Sequence, residues 1–203
     1  GTNLTTYLAG YLYGFILVVF PIIYIIVVAN NVVARHVDKG SMAYLLATPN
    51  TRVKVATTQA LYLIISLSVL MAGITGVLVG MSEASWAGQL DIPPFLVLNL
   101  VTLIILIAVG SISFLFSCIF NDTKLSLAFG GGIPILFVVF QMVSELSDKI
   151  EFLKYFSLYT LLDAHKILQD SAYAWTISLI LLGASAVLYG LGILIFNKKS
   201  LAI

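Results

Sequence analysis

The sequence predicts an all-α polytopic membrane protein, and three observations support this class. Hydrophobic residues make up 61% of the 203 residues and charged residues only 9%, whereas soluble domains are about a quarter charged. Charge-free stretches of at least twenty residues recur at 1–34, 55–82, 92–121, 125–144 and 171–197. The basic residues are concentrated in alternate links between these stretches. A soluble fold does not fit this pattern, and the stretches do not alternate as barrel strands of about ten residues would.

Five spans fit these stretches, because a helix needs about 20 residues to cross the hydrocarbon core. We place them in one transmembrane domain, 1–203, at about 7–29, 56–80, 95–119, 125–144 and 173–196. Tyr7, Tyr11 and Tyr13 open the first span, as expected of aromatic residues at a lipid interface. Pro21 predicts a kink in the same helix.

The fourth span contains residues that disfavour a regular helix. Gly130, Gly131 and Gly132 stand together and Pro134 follows, which predicts a broken or kinked helix. Irregular backbone at membrane depth is tolerated only against protein or a wet cavity. We therefore expect this helix to face the interior of the bundle. A simple kink with no functional meaning is an equal alternative.

The distribution of basic residues indicates the orientation of the chain in the membrane. One set of links contains Arg35, Lys39, Arg52, Lys54, Lys124, Lys198 and Lys199. The other set contains Lys149, Lys154 and Lys166 beside seven acidic residues. The positive-inside rule places the first set, and with it the C-terminus, in the cytoplasm. Five spans would then leave residue 1 outside, so we expect a sixth, N-terminal span in the full chain.

The link 145–172 differs from the spans in its pattern. Charged residues alternate there with aromatic and aliphatic ones, which is typical of an amphipathic segment at a membrane surface. We expect one or two helices in this link, lying at the outer interface or dipping into it.

The sequence lacks the motifs that would give the chain its own chemistry. It contains no GxxxxGK[ST], HExxH or GxSxG pattern and no paired carboxylates within the spans. The span centres contain no ionisable residue, whereas ion-coupled carriers usually place one there. The single cysteine, Cys118, forms no intrachain disulfide. We therefore expect no catalytic, metal or cofactor site, and an energy source outside this chain.

The loop 30–55 contains the most informative pattern in the sequence. Met42, Leu45 and Leu46 stand at i, i+3 and i+4, which predicts one apolar face of a single short helix. Pro49 ends this helix, because the residue before a proline avoids the helical conformation.

The residues around the short helix favour a docking element over an ordinary solvated loop. Asp38 or Ser41 is the candidate N-cap, and Arg52 and Lys54 mark the return to the bilayer. An apolar helix face held outside the membrane needs a groove, and this chain has no cytoplasmic domain to provide one.

The run DKGSMAYLLATPNTRVKV, at 38–55, resembles the cytoplasmic signature of ABC-2 type permeases. That signature contains an acidic residue, a basic residue, Gly-Ser or Gly-Thr, a Leu-Leu pair, a small residue, Pro and Arg. The acidic residue is often Glu in the family and is Asp38 here. The amphipathic link before the last span and the ending FNKKSL fit the family loosely.

The resemblance implies a subunit with six helices and the exporter fold of the G-type ABC transporters. It also implies a separate ATPase, which binds ATP and Mg, and a complex of two ATPases with two permease subunits, identical or homologous. The loop would be the coupling helix that seats in a cleft of the ATPase, and the segment 146–170 would close the pathway towards the outside. The residues that the resemblance assigns to the coupling contact are Asp38, Lys39, Gly40, Ser41, Met42, Leu45, Leu46, Pro49 and Arg52.

These expectations lead to one function and one alternative. We predict a non-enzymatic, multi-pass permease subunit of the cell membrane, in contact with lipid and not with nucleic acid. It would export a lipophilic or amphipathic substrate, such as a drug, a lipid or a hydrophobic peptide, because apolar and aromatic side chains would line its cavity. The alternative is a membrane scaffold or immunity-type protein that binds a partner and transports nothing.

Overall fold

All regular structure in the described part of the chain is helical. The structure is a computed structural model and describes residues 4–46, 50–146 and 148–199. Five helical regions are long and apolar enough to cross a membrane: Leu4–Asp38, Arg52–Ser85, Ile92–Ile119, Thr123–Ser144 and Ser171–Lys198. Each contains one stretch predicted to span and extends beyond it at one or both ends. The predicted all-α polytopic class is confirmed.

The elements follow one another with short links. In chain order they are α1 (Leu4–Tyr11), a π turn (Leu12–Ile16), α2 (Leu17–Val32), α3 (Ala34–Asp38), α4 (Met42–Leu46), α5 (Arg52–Ser85), α6 (Ile92–Ile119), α7 (Thr123–Ser144), two 3-10 helices (Asp148–Phe156 and Leu158–Leu161), α8 (Ala164–Gln169) and α9 (Ser171–Lys198).

Capping side chains explain where the long helices begin. The hydroxyl of Thr51 accepts from the Lys54 N–H at the start of α5, over 3.2 Å. Asp122 and Asp170 accept backbone N–H groups in the same way at the starts of α7 and α9. These side chains satisfy donors that have no partner within the helix. Helix α6 begins instead with Pro93 as its second residue. Proline is tolerated there because a backbone N–H in the first turn would have no partner within the helix.

Helix α6 is the centre of the bundle. It contacts α2, α5, α7 and α9, which belong to all four other spanning regions. In its most apolar stretch 67% of the residues are buried, against 17% in α5. Small residues allow this close packing: a Cβ at Gly110 would lie 3.2 Å from the Tyr189 hydroxyl oxygen of α9.

The spanning helices alternate in direction, so their connections collect at two ends. We call the end that contains 33–54, 119–123 and 198–199 the loop end, and the end that contains 82–92 and 144–171 the far end. A large hydrophobic cluster fills the middle and the far end. A smaller one, the loop-end cluster, consists of Ala29, Val32, Val33, Val37, Met42, Ala56, Ala60, Leu63, Phe114, Cys118, Tyr189 and Phe196.

The break predicted in the fourth span is wrong, because α7 continues through Gly130–Gly132 and Pro134. Proline lacks the N–H that would bond the carbonyl four residues earlier. That carbonyl belongs to Gly130, and it accepts the Ser113 hydroxyl of α6 over 2.6 Å. The orphaned acceptor is thereby paired, and the helix continues. Gly130, Gly131 and Pro134 are buried, but only 22% of the most apolar stretch of α7 is buried. The expected interior position therefore holds for this turn and not for the helix as a whole.

In the first spanning region the irregular backbone lies one turn before the expected position. A single π turn occupies Leu12–Ile16, and Pro21 lies inside the α-helix that follows. Single π turns widen the helix locally and often occur at functional positions.

The far-end link forms three short elements where one or two helices were expected. The two 3-10 helices pack on α7, and α8 packs on α6, α9 and α1. Tyr159 and Ile167 are buried, whereas Phe152 and Tyr155 are exposed. The buried Tyr159 and Ile167 therefore anchor this link, while Phe152 and Tyr155 face outwards, as at a lipid interface.

Candidate functional site

The loop between α2 and α5 begins with a fixed change of direction. Val33 leaves the helical conformation, with φ −131° and ψ −66°. The N–H of Ala34, which follows this break, donates to the Ser117 hydroxyl of α6 over 3.0 Å in a buried position. Val33, Ala34 and Val37 are buried, so α3 packs on the bundle.

The chain then turns at Gly40. The N–H groups of Lys39 and Gly40 donate to the Arg35 and Val37 carbonyls, over 3.1 and 3.0 Å. Gly40 has φ +70°, a conformation that is costly for residues with a Cβ and common just after a helix end. Gly40, which the resemblance places in the coupling set, therefore allows the tight turn that precedes α4.

A side-chain contact closes the turn. The Ser41 hydroxyl lies 2.9 Å from Nδ1 of His36 and donates to the His36 carbonyl over 3.3 Å. His36 was not among the predicted site residues, because a lone histidine in a loop gives no pattern. Its partner could be identified only from the folded turn.

The predicted short helix is present as α4, and its residues face in two directions. Met42 is 2% exposed and belongs to the loop-end cluster. Tyr44 is 82% exposed and Leu45 36% exposed. The helix therefore uses Met42 to hold itself against the bundle and presents Tyr44 and Leu45 outwards. The Leu46 backbone completes α4, whereas its side chain and Pro49 lie outside the described residues.

Tyr44 is the residue of α4 that sequence reasoning missed. It lies next to the Leu-Leu pair, and a large aromatic side chain beside a predicted docking face could have identified it. Aromatic residues are enriched where proteins bind one another.

The charged residues of the loop divide into exposed and internal ones. Arg35, Asp38, Lys39 and Lys54 are exposed, and Arg35 donates to the Asn31 side chain over 3.0 Å. Three basic residues and one acidic residue give the exposed part of the loop a net positive charge, which suits an acidic partner surface.

Arg52 makes an internal contact. Its Nη1 donates to the carbonyl of Lys199, just after α9, over 2.7 Å. The Lys199 Nζ in turn donates to the carbonyl of Cys118, in the last turn of α6, over 3.0 Å. Partial burial lowers the pKa of Lys199 from 10.5 to about 8. The end of the loop is thus joined to two other spanning helices.

A second candidate region is a cavity of about 80 Å³ at the far end, between the first spanning region and α7. Its polar lining includes Gln141, Glu145 and Tyr159. Gln141 donates to Glu145 over 3.1 Å and accepts from the Thr160 hydroxyl over 2.6 Å. Tyr159 is buried and its hydroxyl has no hydrogen-bond partner among the described residues. Burial raises the pKa of Tyr159 well above its usual range.

The described residues offer no group of three or more His, Cys, Asp or Glu side chains that could hold a metal ion. The two candidate regions can bind and position partners or substrates through packing, hydrogen bonds and charge.

Five helical regions that are long and apolar enough to cross a membrane define a multi-pass membrane protein. A family model described as ABC-2 family transporter protein matches residues 3–201, and the chain belongs to this family. The resemblance found at 38–55 is thereby confirmed. No curated protein and no solved structure matches the chain.

Proposed function

We propose that this chain is the membrane permease subunit of an ATP-driven ABC transporter, and that a separate ATPase docks on the loop Arg35–Lys54. The observation that carries the proposal is the outward face of α4. Tyr44 and Leu45 are exposed, whereas Val33, Val37 and Met42 of the same loop are buried. Tyrosine is one of the residues in which the hot spots of protein interfaces are enriched.

The anchoring of α4 supports a mechanical role for the loop. Met42 is buried in the loop-end cluster, and Ser41 is bonded to His36. A force applied to Tyr44 would therefore be passed to the bundle and would not be lost in a flexible loop. Within the coupling set that the resemblance implies, we assign the outward contact to Lys39, Leu45 and the neighbouring Tyr44, and we assign Met42 to anchoring.

The charges support the orientation and the partners that we propose. Arg35, Lys39 and Lys54 flank α4 in the sequence and are exposed, and basic residues are concentrated on the cytoplasmic side of membrane proteins. We therefore propose that the loop end and the C-terminus are cytoplasmic. ATP and Mg would bind the ATPase, and the complex would contain two ATPases and a second permease subunit, identical or homologous.

The far-end cavity supports the proposed direction and class of substrate. We propose that it is the outer end of an export pathway, which the 3-10 helix with Tyr159 closes. Apart from Gln141, Glu145 and the tyrosine hydroxyls, its lining is apolar, with Phe15, Val18 and Met142 among the residues. Apolar side chains beside polar ones support our proposal of a lipophilic or amphipathic substrate, such as a drug, a lipid or a hydrophobic peptide, for which the pathway would have to open wider than this cavity.

Recovery of an ATPase from the native membrane tests the docking proposal. Wild type would be compared with Tyr44→Asp/Leu45→Asp, and with Tyr155→Asp as the matched control. Tyr155 is 79% exposed, close to the 82% of Tyr44, but lies at the far end. We expect wild type and control to recover a nucleotide-hydrolysing P-loop protein. The double variant should recover about tenfold less of it.

Two results would contradict this proposal. Equal recovery in all three samples would place the contact outside α4. Absence of an ATPase from the wild-type sample, at normal membrane levels of the permease, would favour the non-transporting scaffold.

A further inference from the structure

The loop has two arms, one before α4 and one after it. Hydrogen bonds connect both arms to the last turn of α6. The first arm arrives through Ala34, whose N–H donates to the Ser117 hydroxyl over 3.0 Å. The second arm arrives through Arg52, which donates to the Lys199 carbonyl over 2.7 Å, and Lys199 donates to the Cys118 carbonyl over 3.0 Å. Ser117 and Cys118 are adjacent, so the two arms meet at one point although 16 or more residues separate them along the chain.

The position of Arg52 is unfavourable within its own helix. It is the first residue of α5, where the helix dipole is positive and disfavours a basic side chain. The last carbonyls of a helix, by contrast, lack partners and favour cations. The Arg52 guanidinium reaches the carbonyl just after α9, and Lys199 reaches the end of α6. The carbonyl acceptor after α9 therefore compensates for the unfavourable position of Arg52 at the start of α5.

Packing joins the loop to the same place. Val33 and Met42 of the loop are in one hydrophobic cluster with Phe114 and Cys118 of α6 and Phe196 of α9. All five are buried, with exposures of 0 to 2%. A displacement of the loop relative to α6 would open this cluster, so the loop and the end of α6 are constrained to move together.

We propose that α6 is the helix that receives the movement of the loop, and that Arg52 and Ser117 are the positioning residues that connect them. The loop is covalently continuous with α2 and α5, but α6 is the helix that contacts all four other spanning regions. Movement delivered to α6 reaches the whole bundle. This proposal rests on the proposed docking of an ATPase on the loop, and it gives Arg52 an internal role in place of a partner contact.

Hydrogen exchange on the purified permease tests the connection without a partner. In Arg52→Gln we expect about tenfold faster exchange of the amides in the last turn of α9, because one charge-assisted hydrogen bond is lost. Lys54→Gln is the matched control, since it removes an equal charge from an exposed side chain two residues away. Arg52→Lys keeps the charge and should restore part of the protection.

The first arm has its own variant and control. Ser117→Ala should speed exchange of the Ala34 amide by about tenfold. Ser111→Ala removes a hydroxyl from the same helix, but that hydroxyl bonds the Ala108 carbonyl within α6 over 2.6 Å. The control should leave the Ala34 amide unchanged. Unchanged exchange in both Arg52→Gln and Ser117→Ala would overturn the proposal.

Measurements on the assembled complex separate this proposal from the docking proposal. A cysteine introduced at Met142 would line the far-end cavity, whereas the native Cys118 is buried. A thiol reagent should therefore label the introduced cysteine. We expect ATP to change the labelling rate of Met142→Cys in the wild-type background, and Arg52→Gln to suppress most of that change while ATPase recovery stays normal. Loss of ATPase recovery in Arg52→Gln would make Arg52 a partner contact and overturn the proposal. If wild type recovers no ATPase, the docking proposal fails, whereas the connection to α6 is still judged by the exchange rates.

Discussion

The two ends of the molecule are built differently. At the loop end, separate segments are joined by hydrogen bonds between residues distant in sequence, such as Ala34 with Ser117 and Arg52 with Lys199. At the far end, short 3-10 helices cover a cavity, and Tyr159 buries a hydroxyl without a partner. A buried unpaired polar group costs about 1–3 kcal/mol. Buried side-chain atoms without a hydrogen-bond partner among the described residues occur near both ends, at Asn30 and Ser126 as well as at Tyr159. The two ends therefore differ in the hydrogen bonds that join distant segments and not in unpaired groups.

The largest expected effect is on the anchor of α4. Met42→Ala should destabilise the protein by about 2–5 kcal/mol, because it removes a fully buried side chain from the loop-end cluster. Met142→Ala is the far-end control, since Met142 is 49% exposed. Thermal unfolding in detergent would show a clear decrease for Met42→Ala and a small one for Met142→Ala. Equal decreases would contradict the rigid anchoring of the loop.

The next effect concerns the pairing of α6 with α7 between the two ends. Ser113→Ala leaves the Gly130 carbonyl buried without its donor, which should cost about 1–2 kcal/mol in a membrane bundle. Ser178→Ala is the control, because its hydroxyl bonds the Ala174 carbonyl within its own helix. A Ser113→Ala protein that unfolds at the wild-type temperature would show that the hydroxyl does not stabilise the helix at Pro134.

Two glycines with positive φ allow a matched comparison of the ends. Gly40 has φ +70° at the loop end and Gly88 has φ +72° at the far end. A Cβ at either position would meet no atom within 4 Å, so each Ala variant should cost about 1 kcal/mol through backbone strain alone. We expect Gly40→Ala to lower ATPase recovery and Gly88→Ala to leave it unchanged. Equal recovery would show that the turn at Gly40 does not position α4.

The smallest effect is on the pH dependence of stability, and it has opposite signs at the two ends. The pKa of Lys199 is lowered to about 8, so between pH 8 and 10.5 the unfolded chain binds more protons and stability rises with pH. The pKa of Tyr159 is raised, so above its usual value of 10 the folded chain keeps more protons and stability falls with pH. The stability of Lys199→Met should not rise between pH 8 and 10.5. The stability of Tyr159→Phe should fall less than that of wild type above pH 10. A pH profile that neither variant changes would refute both assignments.

The sequence was sufficient to predict the class, the five spans and the place of the short helix. Charge-free stretches of membrane length that do not alternate predict helices, because backbone groups in lipid must be paired and a helix pairs them within one segment. The spacing of Met42, Leu45 and Leu46, followed by Pro49, is local information, and a single helical turn needs no more than that. The family signature at 38–55 is likewise contained in consecutive residues.

The tertiary structure alone decided which way these residues face and what they bind. Met42 and Leu45 look equivalent on a helical wheel, but the space beside Phe114 takes up Met42 and leaves Leu45 outside. Gly130–Gly132 with Pro134 predicts a break, but a serine on another helix supplies the missing hydrogen bond. Arg52 finds its acceptor 147 positions away along the chain. Local pattern determines where helices form, whereas partners distant in sequence become neighbours only after the helices have packed.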